Sequence, residues 1–161
     1  MAKGKNFLSK LIRRNSGVAA VEFAIVMPIL ILLIAGMMDL GHAFYLKQII
    51  TNASREGARY GILYKTGSDG DRIAPISLAP SISTWVLKGP SDGGQCDLND
   101  ILAGDNPQVP TPTGTGYSTG AVGEDLTVTV TCVKTWWILN KFVPTLDPSI
   151  TLSATTTMRV E

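Results

Sequence analysis

Histidine and cysteine are nearly absent from this chain. His42 is the only histidine, and Cys96 and Cys132 are the only cysteines. That excludes a multi-ligand zinc site built from His and Cys alone, and no metal is expected. Charge is sparse as well, at 17% of 161 residues, with a formal net charge of +1. The chain therefore lacks the broad basic surface that grips nucleic acid, and no nucleic-acid partner is expected. No nucleophile–base pair or metal-ligand set stands at useful spacing, so the chain does not read as an enzyme and calls for no cofactor. Acidic residues are missing before Glu22, whereas Lys3, Lys5, Lys10, Arg13 and Arg14 crowd the first seventeen positions. Without residues 1–17, nine basic side chains face thirteen acidic ones.

The strongest positive signal is apolar. Residues 18–38 carry a single charge, Glu22, over 21 positions. As a helix they would be about 31 Å long at 1.5 Å per residue, close to the roughly 30 Å of a bilayer's hydrocarbon core. The five leader charges flank its N-terminal side, which predicts a cytoplasmic N-terminus and a single pass with the C-terminal bulk outside. A secretory signal peptide would have a shorter apolar core and an A-x-A-like cleavage site, and Ala35-Gly36-Met37-Met38-Asp39 is a poor one.

Glu22 needs a reason, because an unpaired carboxylate in a spanning segment costs on the order of 1–3 kcal/mol. It either reaches water near the headgroups or finds a cation. A cut at the Gly17–Val18 bond would create an α-amine four residues before it, on the same helix face. The amine of a neighbouring subunit would serve equally and would set an axial register. The positive end of the helix dipole also favours an acid there. Pro28, mid-span, removes one helix hydrogen bond and predicts a kink. A tolerated membrane proline and a bend used on leaving the bilayer are both compatible with it.

Arg13-Arg14-Asn15-Ser16-Gly17 followed by Val18-Ala19-Ala20-Val21-Glu22-Phe23-Ala24 resembles the processing region of type IV-like prepilins. The shared features are a basic leader, Gly before the cut, and Glu five residues after it. The continuation resembles, more specifically, the TadE-like family of pseudopilins or minor pilins of tight-adherence (Tad, Flp pilus) systems. It does so through Val21-Glu22-Phe23-Ala24, Pro28, Gly36 to Gly41, and Ala53-Ser54-Arg55-Glu56-Gly57-Ala58-Arg59, and weakly through Met158-Arg159-Val160-Glu161. Asp39 stands where Glu is the more frequent residue.

The resemblance implies cleavage between Gly17 and Val18 by a membrane prepilin peptidase, with this chain as substrate. It implies a structural subunit that supports pilus biogenesis and adhesion. Its partners would be other pilins or pseudopilins, the inner-membrane assembly platform and membrane lipid. The implied location is the bacterial inner membrane, with a periplasmic or extracellular head, or the pilus itself. An uncleaved, membrane-anchored binding module is the alternative.

Past the span, residues 39–61 predict a continuing amphipathic helix, with Leu46, Ile49, Ile50 and Ala53 at helical spacing. Ala53, Gly57 and Gly61 form a small-residue stripe that allows close packing. Asp39, Arg55, Glu56 and Arg59 are candidates for ion pairs to a neighbouring subunit or to the sheet, or for a solvated face. Residues 62–125 are rich in Gly, Pro, Ser and Asp and read as loop, with a short helix over 80–88 that has Pro80 in its first turn. Residues 104–123 read as a Gly/Pro excursion.

Within 126–161, two runs alternate apolar and polar residues. Leu126, Val128, Val130 and Cys132 form one apolar face, and Ile150, Leu152, Ala154, Met158 and Val160 the other. They predict an antiparallel strand pair laid on the helix. Trp136-Trp137-Ile138-Leu139 and Phe142 between them either close a core or form a patch toward a neighbour or the outer leaflet. Cys96 and Cys132 both fall on the exported side and read as one disulfide, although two buried thiols are the alternative. The expected fold class is α+β: a long N-terminal membrane-spanning helix packed on a small antiparallel head, pilin-like.

Overall fold

The computed structural model describes residues 16–63, 65–88, 98–102 and 105–161. Most of the expected leader, and Cys96, lie outside the described residues. The fold is α+β. One helix, α1 (Ser16–Ile62), is 47 residues long, about 70 Å at the α-helical rise. It stays a single helix through Pro28.

The two ends of α1 differ. Every residue from Gly17 to Ile34 is exposed. From Ala35 onward, buried positions recur at 35, 39, 46, 50, 53, 54, 57, 58, 60 and 61, mostly at steps of three and four. That spacing puts them on one face of the helix, and the aliphatic side chains of Leu46 and Ile50 are fully buried on it. Each contributes about 1.5–3 kcal/mol through removal from water.

This face packs on a three-stranded antiparallel sheet of order β1-β2-β3. The strands are β1 (Thr111–Thr113), β2 (Asp125–Thr135) and β3 (Ser149–Arg159). Central strand β2 alternates strictly: Leu126, Val128, Val130 and Cys132 are buried, and the intervening threonines are partly exposed. β3 pairs with β2 along its length, setting Leu126 opposite Met158 and Val130 opposite Ala154. On the other face, hydroxyls join across the strands, Thr127 to Thr157 at 2.8 Å and Thr129 to Thr155 at 3.0 Å. Such cross-strand pairs each stabilise a sheet modestly, by about 0.2–1 kcal/mol.

A short helix, α2 (Ile82–Leu87), closes the core from the side. Ser81 caps it by accepting the Thr84 N–H at 3.2 Å, so Pro80 sits before the cap and not in the first turn. Ile82 and Val86 are buried on α1, and Trp85 stacks on Tyr60 with ring centroids 4.1 Å apart. Gly57 makes the close approach possible: a Cβ there would stand 2.7 Å from Val86 Cγ2 and 3.2 Å from Val128 Cγ1.

The stretch expected to be loop is more structured than its composition suggests. It holds α3 (Leu98–Ile101), with Leu98 and Leu102 fully buried, then β1 and α4 (Thr115–Thr119). The strand pair is thus a triplet. Pro112 faces Val128 in β1, and this is tolerated because β1 is an edge strand that does not need the missing N–H. α4 ends at Gly120, whose φ of 67° is the left-handed conformation that terminates helices.

Candidate functional site: the junction of bare helix and head

The 136–148 connection between β2 and β3 folds back on α1 where the bare segment ends. It contains α5 (Leu139–Phe142), one turn long, whose N-cap position is Ile138. Isoleucine has no side-chain acceptor, so the first amides of α5 need one from elsewhere. Asp39 of α1 supplies it. Its carboxylate accepts the N–H groups of Trp137 (3.1 Å), Ile138 (3.0 Å) and Leu139 (2.9 Å). A negative charge at a helix N-terminus also has the favourable dipole sign.

Asp39 is 1% exposed, and its one cationic neighbour among the described residues is Lys134, fully buried, with Nζ 3.9 Å from Oδ1. Lys134 Nζ also donates to the Thr135 carbonyl at 3.1 Å and lies 4.8 Å from the Trp137 ring centroid. Burial of Asp39 raises its pKa, but the three backbone N–H groups and Lys134 together outweigh that, and the carboxyl is held below its ordinary value. The arrangement is a remote helix cap and a dry ion pair in one, and it fixes the height of the 136–148 connection on α1.

Around it the surface is aromatic and apolar. His42 packs at a tilt against Trp137, centroids 4.4 Å apart, and its Nε2 lies 3.6 Å from Asp105 Oδ2. On another side of α1 an apolar groove of about 380 Å³ opens between α1 and β3, lined by Leu40, Phe44, Trp136, Ile150 and Leu152. Trp137 is 51% exposed and Phe142 57%, so the Trp136–Phe142 cluster only partly closes a core. Higher up, Lys47 Nζ donates to the Ser153 carbonyl, and Ser54 Oγ meets Thr156 Oγ1 at 2.7 Å, pinning α1 to β3.

The expected site residues divide cleanly. Gly17, Val18, Glu22 and Pro28 all lie on the bare part of α1. Ala53, Gly57 and Gly61 are buried against α2 and β2. Asp39 pairs with Lys134 and the α5 amides, some 24 Å along α1 from Arg55 by helical rise. Arg55 and Arg59 are exposed and Glu56 is half-buried, and none of the three forms an ion pair among the described residues. Cys132 is a buried free thiol whose pKa is raised, chiefly by burial and secondly by Asp105; no disulfide is present among the described residues, and its expected partner Cys96 lies outside them.

Lys134 escaped the sequence reading. A signal was available: it occupies the fifth position of the alternating apolar face that starts at Leu126, where a lysine demands a buried acid.

Fold and junction together define a class: a small α+β head on a single N-terminal helix long and apolar enough to cross a membrane. The most apolar window of that helix is only 6% buried, which separates it from the core helix of a soluble protein. Residues 17–59 match the family model described as TadE-like protein. The match spans the bare half of α1, the Asp39 junction and most of the packed half. No curated protein and no solved structure matches the chain.

Proposed function

We propose that this chain is a minor pilin or pseudopilin, a structural subunit that supports assembly of a Tad-type pilus and, through it, adhesion. One observation carries the reading. The TadE-like match covers a single helix whose first half is uncovered apolar surface and whose second half is the spine of a folded head. A helix of this kind suits two successive environments. Its bare half faces lipid while the subunit is stored in the membrane, and sister helices once it is assembled. Van der Waals packing and small residues then replace the lipid contacts.

In this reading the basic leader stays cytoplasmic, and the head stands on the other side of the inner membrane. A prepilin peptidase cuts between Gly17 and Val18. Gly17 is exposed, and nothing stands within 4 Å of where its Cβ would be, so the scissile region is open to a partner. The new amine on Val18 pairs with Glu22, in its own chain or a neighbour's, removing the cost of a lone carboxylate in lipid. Other pilins and the inner-membrane platform are the partners, and the chain is substrate and scaffold, not catalyst.

Co-expression with a prepilin peptidase followed by N-terminal sequencing tests the reading. A start at Val18, abolished by Gly17→Ala, is the expected result. A chain that retains its leader under those conditions overturns processing and leaves an anchored binding module. Glu22→Ala should be cut normally but incorporate poorly into pili, measured by recovery in sheared surface fractions.

A further inference from the structure

The 136–148 connection has a fixed height on α1, and that height coincides with the end of the apolar segment. Two ties set it. Asp39 holds the amides of residues 137–139, and Leu139 Cδ2 lies 3.7 Å from where a Cβ on Gly36 would be. α5 is therefore level with residues 36–39, the last turn of the segment ending at Met38. The side chains it leaves uncovered are Trp137, Phe142 and Val143. On α1 itself Leu40, Phe44 and Tyr45 are exposed just above. Six residues beyond Met38 is about 9 Å along a helix, comparable with the 5–8 Å of interfacial layer on each side of the hydrocarbon core.

The directions of these side chains matter as much as their height. Successive helix residues turn by about 100°, so Phe44 and His42 point to nearly opposite sides of α1. Phe44 lines the groove with Trp136 and Ile150, whereas His42 packs on Trp137. The exposed apolar groups thus form a collar around helix and head at one level. A planar surface crossed by the helix meets such a collar everywhere at once. A second copy docking from one side would cover only part of it. The chemistry also fits a lipid interface: tryptophan is enriched there, and a lysine such as the exposed Lys141 can reach lipid phosphates while its stem stays in apolar surroundings.

We propose that the 136–148 connection is a membrane-seating element: Trp137, Phe142 and Val143 insert into the headgroup–acyl boundary of the leaflet from which α1 emerges, so that the head rests on the membrane. This rests on the membrane-embedded reading of α1. Pulling the subunit into a filament then requires the collar to leave the leaflet along with the helix.

Trp137 is a built-in probe. The full chain carrying Trp85→Phe and Trp136→Phe, which leaves Trp137 as the only tryptophan, is reconstituted into phosphatidylcholine–phosphatidylglycerol vesicles. Its fluorescence is quenched by lipids brominated either near the headgroup end or near the bilayer centre. The expected result is roughly twofold stronger quenching by the shallow label, the position of an interfacial aromatic, and little quenching by aqueous acrylamide. A chain keeping only Trp85, which packs on Tyr60 some 33 Å beyond Met38 by helical rise, should respond to neither lipid. Quenching of Trp137 by acrylamide and by neither lipid overturns the proposal. So does an emission that follows the protein-to-lipid ratio and ignores the bromine position, which would mark a second copy as the occupant. Flotation with the vesicles at carbonate pH is scored separately: a chain that floats but shows no lipid quenching keeps its span and loses only the seating element, whereas one stripped by carbonate refutes both.

Discussion

The two halves of α1 are equally helical and physically unlike. Between Gly17 and Ile34 large aliphatic side chains point in every direction and none is covered. Between Ala35 and Ile62 one face narrows to Ala53, Ser54, Gly57, Ala58 and Gly61, and all five are buried under the head. The first half has no preferred face, a pattern that suits surroundings apolar all round. The second half needs a face because water occupies the other side. Hydrophobicity alone would rank the first half as the better core, yet the intramolecular core is built from the second.

The largest effect is expected at the boundary of the halves. Asp39→Ala leaves three amides without an acceptor and strands Lys134 as a buried, uncompensated charge. Breaking a buried pair in this way costs about 3–5 kcal/mol, so urea unfolding of the detergent-solubilised chain should shift strongly to lower denaturant. Asp39→Ala with Lys134→Met should recover part of the loss, because the stranded charge goes while the orphaned amides remain. Equal stability of the single and double variants would show that Lys134 contributes nothing to the junction.

Next comes the same truncation placed once in each half. Ile50→Ala opens a cavity at a fully buried position and should cost about 2–4 kcal/mol. Ile29, 66% exposed, should leave the unfolding midpoint of the head within about 0.5 kcal/mol on the same change. A comparable loss at both sites would mean that the bare half also packs on the head, erasing the contrast.

A third pair reverses sign along one helix. Nothing lies within 4 Å of a Cβ added at Gly41, whereas one at Gly57 meets Val86 and Val128. Gly41→Ala should therefore stabilise by up to about 1 kcal/mol through helix propensity. Gly57→Ala gains the same but forces apart two stiff β-branched side chains, and overpacking of about 1–3 kcal/mol should leave it destabilised overall. Thermal melts of the two variants side by side decide it.

These contrasts also mark what the sequence made legible. The span rests on an unbroken apolar run, and the helix beyond it and the strand pair on periodicities of 3.6 and 2, which neighbouring residues impose on one another. Leu126, Val128, Val130 and Cys132 announce β2 without outside help. β1 has only three residues, one a proline, and exists because the edge of β2 is there to pair with it. α5 is still less visible, since its cap comes from a residue about 100 positions earlier. Asp39 reads as a candidate for an ion pair to the sheet or to a neighbouring subunit, but which residue it meets, Lys134, emerges only when β2 is brought back along α1. What rests on one contiguous helix was legible, and what depends on chain closure was hidden.

Acid should produce the smallest of these effects, and the reason separates protonation from truncation at the same residue. Asp39 has a lowered pKa in the folded chain, so its charge adds stability that is fully present above the ordinary carboxylate range. That stability is lost as the pH falls through the folded value, in strongly acidic solution below about pH 4. The lowering is a difference of opposed effects. Burial pushes the pKa up, and the amides of Leu139, Ile138 and Trp137, with Lys134, pull it down further than that. Protonation forfeits only this difference, since a neutral carboxyl still fills the space and still accepts through one oxygen. The unfolding midpoint followed from pH 7 to pH 3 should therefore fall gently where Asp39→Ala falls steeply. In Asp39→Asn, which cannot titrate, this part of the acid dependence should be missing. An unchanged acid profile in Asp39→Asn would mean that the junction is not held by a charged carboxylate, and that the two halves of α1 meet through packing alone.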